Sequence, residues 1–511
     1  MRKIDCRNII FVFLMLSCAT GRHTAESING RYSEEADFVL DAIREYSIDT
    51  LRGLTPEQWQ ASVEKMRDKV RECKDDTSYY FALRYFGPLL KDAHFLFPGT
   101  GVFNREGIFK PSDLVFSVWT KSWEDGRLFA VHDYEGKIPK HAEIISINGL
   151  SSREMVVEHR RINCGEEKYM QAWINENEEC DPRGLNTFAN YLFCERINAP
   201  FEVVYREYGS EELRHTSLAG IARDKRFEMY RNSLSEKAGA LWDYRPASPA
   251  VEYYMANDSV AVLKINSFWS RKLLSLLIFG KDFKFPKMLK KAMKEINSRK
   301  AKRLVVDIRG NGGGFVDNLY LTLACLGCET IKDPLRMKIN RYNRKNARVI
   351  LRKTYKNSMA GRKEIKTALK IFDETPDGSF FNSDTLFPVV YKSPKISTKY
   401  KFSGDKYLLV SANVYSAGID FVNHFKKMNL GTIVGESPGG YRQTTSGYCA
   451  NIELPYSKML RLSIPYGING VEYFGTYDFA EPDVLIERKF QEWLLDKDST
   501  MDSLLRIIAG R

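Results

Sequence analysis

The chain has 511 residues, of which 43% are hydrophobic and 28% are charged, and its formal net charge is +12. This composition is ordinary for a soluble globular protein of two to four domains, and it argues against a disordered or fibrous chain. Much of the positive charge lies in residues 335–366, which we interpret as solvated helix faces. Because no zinc-ligand spacing or aromatic-interleaved basic motif accompanies it, we expect no nucleic-acid partner.

The N-terminus has the order of an export signal. The basic segment "MRKIDCRN" precedes the apolar run "IIFVFLML", which is too short to span a bilayer, and "SCAT" follows. Cys18 resembles the lipidated cysteine of a bacterial lipobox. We therefore predict a signal peptide at residues 1–18, a membrane anchor through lipid on Cys18, and a location in the periplasm or on the outer membrane. Cleavage near Ala19 without lipidation and an uncleaved anchor are the alternatives.

Residues 19–108 are predicted to form an N-terminal helical region. The segment "SEEADFVLDAIREYSI" begins with a serine followed by acidic residues, as helix N-termini do. A second helix is predicted from "TPEQWQASVEKMRDKVRECK", where Thr55 is the N-cap and Pro56 takes the first helical position. A third is expected in "TSYYFALRYFGPLLKDAH".

Residues 109–218 change to short β-strands rich in β-branched and aromatic residues, such as "DLVFSVWTKSW" and "RLFAVHDY". The segment "IPKHAEIISINGLSSREMV" then leads into a helix and resembles the carboxylate-binding part of a PDZ-type module. Such a module holds an extended peptide as an added strand. We therefore expect a PDZ-like module that binds polypeptide C-termini.

Residues 219–511 alternate strand-like and helix-like segments. Strands are predicted in "SVAVLKINSF", "KRLVVDIRG", "KYLLVSANVYSAG" and "GTIVGES", and helices in "PKMLKKAMKEINSRK" and "IDFVNHFKKMNL". This alternation predicts an α/β core with a mainly parallel sheet, and hence a multidomain α/β protein. A basic helical insertion is expected at about residues 315–401.

Two serines of this core follow predicted strands. Ser437 lies in a G-x-S-x-G motif, "GESPGG", but Pro438 and the next glycines cannot begin the helix that a nucleophile elbow requires. Ser416 lies between the strand "YLLVSA" and the helix-forming run "AGIDFVNHFKK". Its hydroxyl would be exposed at the sheet edge, where the Ala417 N–H favours an anion. A helix N-cap serine fits the same pattern, so both interpretations stay open.

A glycine-rich loop follows another predicted strand, in "VVDIRGNGGG", where backbone N–H groups can approach a substrate closely. The order that a P-loop requires is absent. The C-x-x-C pair Cys325 and Cys328 has no second pair or nearby histidine that would complete a zinc site. We therefore expect neither a metal nor a cofactor.

Four ordered motifs of the core carry a family resemblance: "LVVDIRGNGGG", "LVSANVYSAG", "GTIVGESPGG" and "ANIELPYSKMLRLSIPYG". Together they resemble the tail-specific (C-terminal-processing) serine protease family, and the likeness extends from about residue 94 to residue 484. It implies a ClpP/crotonase-like α/β core with Ser416 as the nucleophile. It also implies an oxyanion hole formed by the amides of Gly313 and Ala417.

The family divides by its general base. No lysine occurs in "GGYRQTTSG", where one branch would place it, and Arg442 cannot substitute because its guanidinium does not lose a proton. The tricorn-like branch instead uses a histidine that precedes the PDZ module. His94 in "KDAHFLF" matches it, although Ala93 and Phe95 depart from that branch's pattern. Histidine can take and return the serine proton near neutral pH.

The resemblance also implies a glutamate that orients His94, and Glu472 in "GVEYFGTYDFAEPDV" is the match. Asp478 and Glu481 are the alternatives. The implied function is an exported endopeptidase or C-terminal-processing protease that acts on polypeptides through an acyl-enzyme. A non-catalytic peptide- or ligand-binding protein is the main alternative, since the fold also occurs in a retinoid carrier of the vertebrate retina. An esterase is a second alternative.

Overall fold

The computed structural model describes residues 28–95, 110–177, 187–236, 249–270, 282–328, 330–354, 362–385, 390–392, 396–445, 447–456 and 461–510. The predicted signal peptide and Cys18 lie outside the described residues. None of the described helices combines the length and apolarity of a membrane span.

The described elements are fifteen helices and twenty-one strands, several of them short. The helices are α1 (Ile28–Tyr46), α2 (Pro56–Arg71), α3 (Asp76–Ala82), α4 (Ser152–Arg161), α5 (Glu167–Asn177), α6 (Phe188–Cys194), α7 (Arg223–Glu236), α8 (Lys284–Ser298), α9 (Val316–Cys325), α10 (Arg341–Lys345), α11 (Ala347–Thr354), α12 (Arg362–Glu374), α13 (Ala417–Lys427), α14 (Phe490–Leu494) and α15 (Ser499–Ala509). The strands are β1 (Leu114–Val115), β2 (Val118–Ser122), β3 (Leu128–Asp133), β4 (Glu143–Ile147), β5 (Leu150–Ser151), β6 (Phe201–Arg206), β7 (Leu213–Leu218), β8 (Ile221–Ala222), β9 (Val251–Met255), β10 (Val260–Ile265), β11 (Arg303–Asp307), β12 (Thr330–Lys332), β13 (Arg336–Lys338), β14 (Phe380–Asn382), β15 (Val390–Lys392), β16 (Asp405–Val410), β17 (Thr432–Gly435), β18 (Cys449–Glu453), β19 (Arg461–Pro465), β20 (Gly467–Ile468) and β21 (Val484–Leu485).

The N-terminal region is helical, as the sequence predicts. The Thr55 hydroxyl accepts the Gln58 amide at 3.2 Å, and the Gln58 side chain accepts the Thr55 amide at 2.9 Å, which makes a capping box at the start of α2. Helix α1 begins at Ile28, ahead of the predicted serine start. The third predicted helix is short, because the chain after α3 tightens into a 3₁₀ segment, Leu83–Leu89, that contains Pro88.

The second region contains an antiparallel sheet of order β2-β3-β4-β6-β7, with β5 beside β4. Its strands lie within the span predicted for the PDZ-like module, and α4 follows β5 as the sequence predicts. Phe116, Ile144 and Phe201 are buried in its core, which is continuous with that of the N-terminal helices. We call this region the β module; its peptide-binding role stays a prediction.

The third region is the predicted α/β core. Its sheet has the order β21-β17-β16-β11-β10-β9, and every neighbouring pair is parallel except β9 with β10. Alternate residues of β11 face opposite layers: Val306 packs with residues of α8, α9 and α13, and Val305 packs with α15. Both faces of the sheet are therefore covered, which explains the apolar run "LVV" of β11.

The basic insertion differs from the helical segment that the sequence predicts. It begins with α9, which packs in the α/β core, and it adds two small sheets, β12 with β15 and β14-β13-β20. Helices α11 and α12 pack on the second of these sheets through a separate cluster around Leu351 and Phe372. Strands of three residues are too short to show a periodic pattern, so no sequence signal predicts them.

Candidate active site

Ser416 lies on a sharp turn at the carboxyl edge of the core sheet. Strand β16 ends at Val410, and α13 begins directly after Ser416. The serine has φ 52° and ψ −126°, a conformation that costs a non-glycine residue energy and that only the surrounding structure can hold. The amide of Tyr415 bonds to the Asn311 carbonyl at 3.0 Å, and the amide of Gly418 bonds to the Tyr415 carbonyl at 2.8 Å. These bonds fix the turn and present a partly exposed Ser416 hydroxyl.

His94 brings an imidazole to this hydroxyl from the N-terminal region. Its Nε2 lies 2.8 Å from Oγ of Ser416. On the other side of the ring, Nδ1 lies 3.0 Å from Oδ1 of Asp92 and 2.7 Å from Oγ1 of Thr445. The carboxylate can only accept, so we assign the ring proton to Nδ1, which leaves Nε2 free to accept the serine proton. The structure thus joins Ser416 and His94 as the sequence predicts.

Asp92 is the carboxylate that holds the imidazole. Its Oδ1 is approached by the His94 amide at 2.9 Å, by His94 Nδ1 at 3.0 Å and by the Tyr415 hydroxyl at 3.1 Å. Burial by itself would raise the pKa of Asp92, but Arg52 and the hydrogen bond from His94 outweigh it and hold the pKa below its ordinary value. Asp92 is therefore a fixed negative charge behind His94.

Arg52 and Glu166 complete this buried network. Arg52 Nη2 lies 2.7 Å from Oε1 of Glu166, and its Nε lies 3.7 Å from Oδ2 of Asp92. The other oxygen of Glu166 lies 2.7 Å from the Tyr415 hydroxyl. Burial, which dominates, and the nearby Asp92 charge raise the pKa of Glu166 although Arg52 opposes them. We call Arg52, Asp92, Glu166 and Tyr415 the Arg52 cluster.

The glycine loop after β11 touches the nucleophile directly. Gly313 has φ 105°, and a Cβ there would lie 2.7 Å from Cβ of Ser416 and 2.9 Å from the Ala417 nitrogen, so no larger residue fits. The Gly313 amide donates to the Asn311 side chain at 2.8 Å. The predicted oxyanion donor at Gly313 is therefore engaged within its own loop in this structure.

Ala417 provides the available donor. Its amide is the first of α13, where helix N–H groups lack partners within the helix, and it makes no hydrogen bond to another residue in the described part of the chain. The positive end of the helix dipole lies at the same point. Ser416 is thus flanked by one free amide and by a glycine that permits close approach.

Glu472, the predicted orienting carboxylate, is not at the site, and this prediction is corrected. It lies 2.8 Å from Lys427, the last residue of α13. That helix has 11 residues and is about 16 Å long, so Glu472 lies at the opposite end from Ser416. The alternatives do not contact His94 either, since Asp478 pairs with Arg442 at 3.3 Å and Glu481 is exposed.

Sequence reasoning missed Asp92 and Thr445. Asp92 lies two residues before His94, so a carboxylate at a D-x-H spacing was available as a signal. Thr445 lies in "GGYRQTTSG", the segment in which we sought a lysine base. The family pattern places the orienting acid after the glycine loop, so it points to neither residue.

The segment "GESPGG" packs beside the site and has no elbow. The Ser437 side chain is buried, and its Oγ finds no hydrogen-bond partner among the described residues. A Cβ at Gly439 would lie 2.5 Å from Cα of Tyr169, and one at Gly440 would lie 2.9 Å from the Tyr415 ring. The glycines therefore serve close packing against the residues that adjoin Ser416.

Residues 259–468 match the family model "Peptidase family S41", and the matched span contains the glycine loop and Ser416. This part of the chain is therefore similar to the peptidases of family S41. The match supports a serine-type peptidase, and no curated protein matches the sequence. No group of three or more histidine, cysteine, aspartate or glutamate side chains in the described residues could hold a metal ion.

Two solved structures of CPAF show the same fold. A mutant of CPAF aligns over 94% of this chain and 96% of its own, with 12% identity and a TM-score of 0.60. Mature CPAF complexed with lactacystin aligns over 94% of this chain and 97% of its own, with 12% identity and a TM-score of 0.59. The photosystem II D1 C-terminal processing protease aligns over 89% of this chain and 93% of its own, with 12% identity and a TM-score of 0.39.

Proposed function

We propose that the protein is an exported serine endopeptidase or C-terminal-processing protease that uses Ser416, His94 and Asp92. The 2.8 Å approach of His94 Nε2 to Ser416 Oγ carries this proposal. Several features support it: the strained turn under Ser416, the fixed charge of Asp92 behind the imidazole, and the match of the core to a family of serine-type peptidases.

The reaction follows from these positions. Ser416 Oγ attacks the scissile carbonyl carbon while His94 Nε2 takes the hydroxyl proton. Asp92 stabilises the imidazolium that forms. The Ala417 N–H donates to the oxyanion, and loss of such a donor costs roughly 10²–10³ in rate. His94 then protonates the leaving amine, and a water activated by the same imidazole hydrolyses the acyl-enzyme.

A covalent probe tests the proposal. The purified protein, treated with a serine-directed phosphonate and digested, should carry one adduct on the peptide that contains Ser416, and it should cleave unfolded casein. An adduct on Ser437 would refute the assignment. Casein binding without cleavage and without any adduct would favour a binding protein, and turnover of small esters without peptide turnover would favour an esterase.

The remaining parts of the proposal concern location and substrate capture. A lipid on Cys18 would anchor the protein to the bacterial cell envelope, and the β module would hold polypeptides by their C-termini. Mass spectrometry of the mature N-terminus checks the first part. If the β module binds C-termini, amidation of a peptide's C-terminal carboxylate should weaken its binding, because the peptide loses the charged group that the module would hold.

A further inference from the structure

A second feature lies at the same edge of the core sheet as Ser416. A cleft of about 510 Å³ opens between the β module, α5 and the core. Its walls include Ser437, which follows β17, and Leu485, which lies in β21. These strands lie on one side of β16 and the glycine loop after β11 lies on the other, so the cleft and Gly313 are on opposite sides of Ser416. Ligands of open α/β sheets bind at this carboxyl edge.

The cleft carries an excess of negative charge. Four glutamates line it against one lysine and one arginine: Glu124, Glu436, Glu481, Glu487, Lys168 and Arg488. Arg488 is committed to Glu436, with Nη2 3.0 Å from Oε2. Within the described residues, no side-chain ion pair involves the other three glutamates, all of which are exposed. Among the residues that line the cleft, Lys168 is therefore the cation left to balance these three carboxylates.

The pKa of Lys168 depends on this environment. Burial lowers the pKa of its ammonium, while Glu481, Glu436 and Glu124 oppose that shift from close by. The ammonium also lies 5.0 Å from the centre of the Phe479 ring. One partly buried cation is thus already placed among these carboxylates, which leaves the cleft two negative charges in excess.

Ser437 provides an independent sign that this cleft binds a ligand. Its side chain lines the cleft, the residue is only 3% exposed, and its Oγ has no hydrogen-bond partner among the described residues. A buried hydroxyl without a partner is destabilising, and a ligand N–H donor would offset that cost. Trp123 and Trp493, with ring centroids 4.8 Å apart, add an apolar wall suited to the methylene stem of a long side chain.

We propose that this cleft is a specificity subsite for a basic side chain, lysine or arginine, of the polypeptide substrate. The cationic head lies among Glu124, Glu481 and Glu487 and donates to Ser437 Oγ, while the stem packs on the two indoles. That the bound polypeptide is a substrate rests on the proposed function, whereas the preference of the cleft for a cation does not.

Binding to the full-length Ser416→Ala protein tests the subsite without any catalysis. Two fluorescent peptides should be compared that differ only in four positions, all lysine or all glutamate. We expect the lysine peptide to bind at least about tenfold more tightly, and we expect the double variant Glu481→Gln with Glu487→Gln to lose most of that preference. The exposed Glu211, outside the cleft, gives the matched control Glu211→Gln, which should keep it.

The outcomes are distinct. Equal binding of the two peptides, or a preference that survives the double variant in a protein of unchanged melting temperature, overturns the subsite. A preference that the double variant abolishes supports it. If wild-type protein shows this preference but cleaves neither peptide nor casein, the subsite stands and the proposed peptidase falls. In an active enzyme the double variant should raise KM for the lysine peptide more than it lowers kcat.

Discussion

Two buried charge clusters are built from similar groups but behave differently. The Arg52 cluster has two carboxylates, a tyrosine hydroxyl and an arginine. The second, which we call the His424 cluster, also has two carboxylates and a tyrosine, but its cation is a histidine: Asp333, Asp420, Tyr320 and His424. His424 Nε2 lies 3.8 Å from Oδ1 of Asp333, and Asp420 Oδ2 accepts the Asn469 amide at 3.1 Å.

The cation decides what each cluster can do. Arginine keeps its charge at every physiological pH, so Asp92 stays ionised with its pKa below the ordinary value. Histidine titrates, and burial together with the Asp333 charge raises the pKa of Asp420 to about 7. The fixed charge adjoins His94, which faces a partly exposed serine, whereas His424 is buried among its partners. A permanent counter-charge therefore distinguishes the imidazole that faces a reactive hydroxyl.

The largest expected effect comes from loss of the nucleophile, and it tests whether the Arg52 cluster serves catalysis. Ser416→Ala removes the attacking oxygen, and we expect casein or peptide hydrolysis to fall by roughly 10⁴-fold or more. Ser298→Ala, at an exposed serine that ends α8, is the control and should keep full activity and labelling. Comparable residual activity in the two variants would mean that the Arg52 cluster has no catalytic role.

The next largest effect distinguishes Asp92, the carboxylate that contacts His94, from Glu472, the one that the family pattern suggests. Asp92→Asn should lower kcat by about 10²–10⁴-fold, because the amide can force the wrong tautomer on His94. Glu472→Gln should change kcat by less than about threefold, since Glu472 pairs with Lys427. Steady-state kinetics of both variants at one pH checks this, and the reverse ranking would restore Glu472 as the orienting acid.

A third prediction concerns the counter-ion itself. Without Arg52, the largest effect that opposes burial of Asp92 is lost and its pKa rises, so the acid limb of the kcat/KM profile of Arg52→Met should move to higher pH. The limb moves upward because Arg52 lowers the pKa of Asp92, and the ionised Asp92 that stabilises the His94 imidazolium is lost as pH falls. Breaking a buried pair also costs about 3–5 kcal/mol of stability.

Arg52→Lys keeps the positive charge and serves as the folding-competent comparison. Its acid limb should lie between those of the wild type and of Arg52→Met, since lysine lacks the planar fork that reaches both carboxylates. A folded Arg52→Met protein, judged by its melting curve, with an unmoved acid limb would show that Arg52 only packs in the core. A pH profile distinguishes that case from mere loss of active protein.

The sequence predicted those parts of the site that depend on neighbours along the chain. Ser416 and Ala417 lie at a strand-to-helix turn, and Gly313 lies in a loop that follows a strand, so local patterns identified all three. The charged partners behind Asp92 could not be found in this way. Arg52 and Glu166 are 114 residues apart in sequence and meet only because the N-terminal region packs against the region of the β module. Long-range packing of this kind leaves no local signal.

The same distinction applies to the fold. The hydrophobic runs of β11 and β16 predicted a parallel sheet, which the structure confirms. The order of the strands and the antiparallel edge strand β9 were not predicted, because both depend on pairing between distant segments. Turn residues do not encode which strand lies beside which.

The smallest expected effect concerns the stability that Asp420 contributes in the His424 cluster. Asp420 holds a proton in the folded protein up to about pH 7, whereas in the unfolded chain it would release it near its ordinary pKa of 3.8. The stability from this group is therefore fully present below that ordinary pKa and is lost as pH rises through 7. Burial and Asp333 thus make Asp420 a site where the rise from acidic to neutral pH destabilises the protein.

Asp420→Asn should remove this dependence, because its amide stays neutral and its carbonyl can still accept from Asn469. We expect the variant to melt a few degrees above wild type at pH 8, and we expect the gain to shrink at pH 5, with activity at pH 7 within about twofold. The exposed Asp41→Asn is the control and should show no such difference. An equal rise in melting temperature at both pH values would mean that the gain comes from packing. No rise at either pH would mean that Asp420 is ionised throughout, and the two clusters would then not differ in charge behaviour.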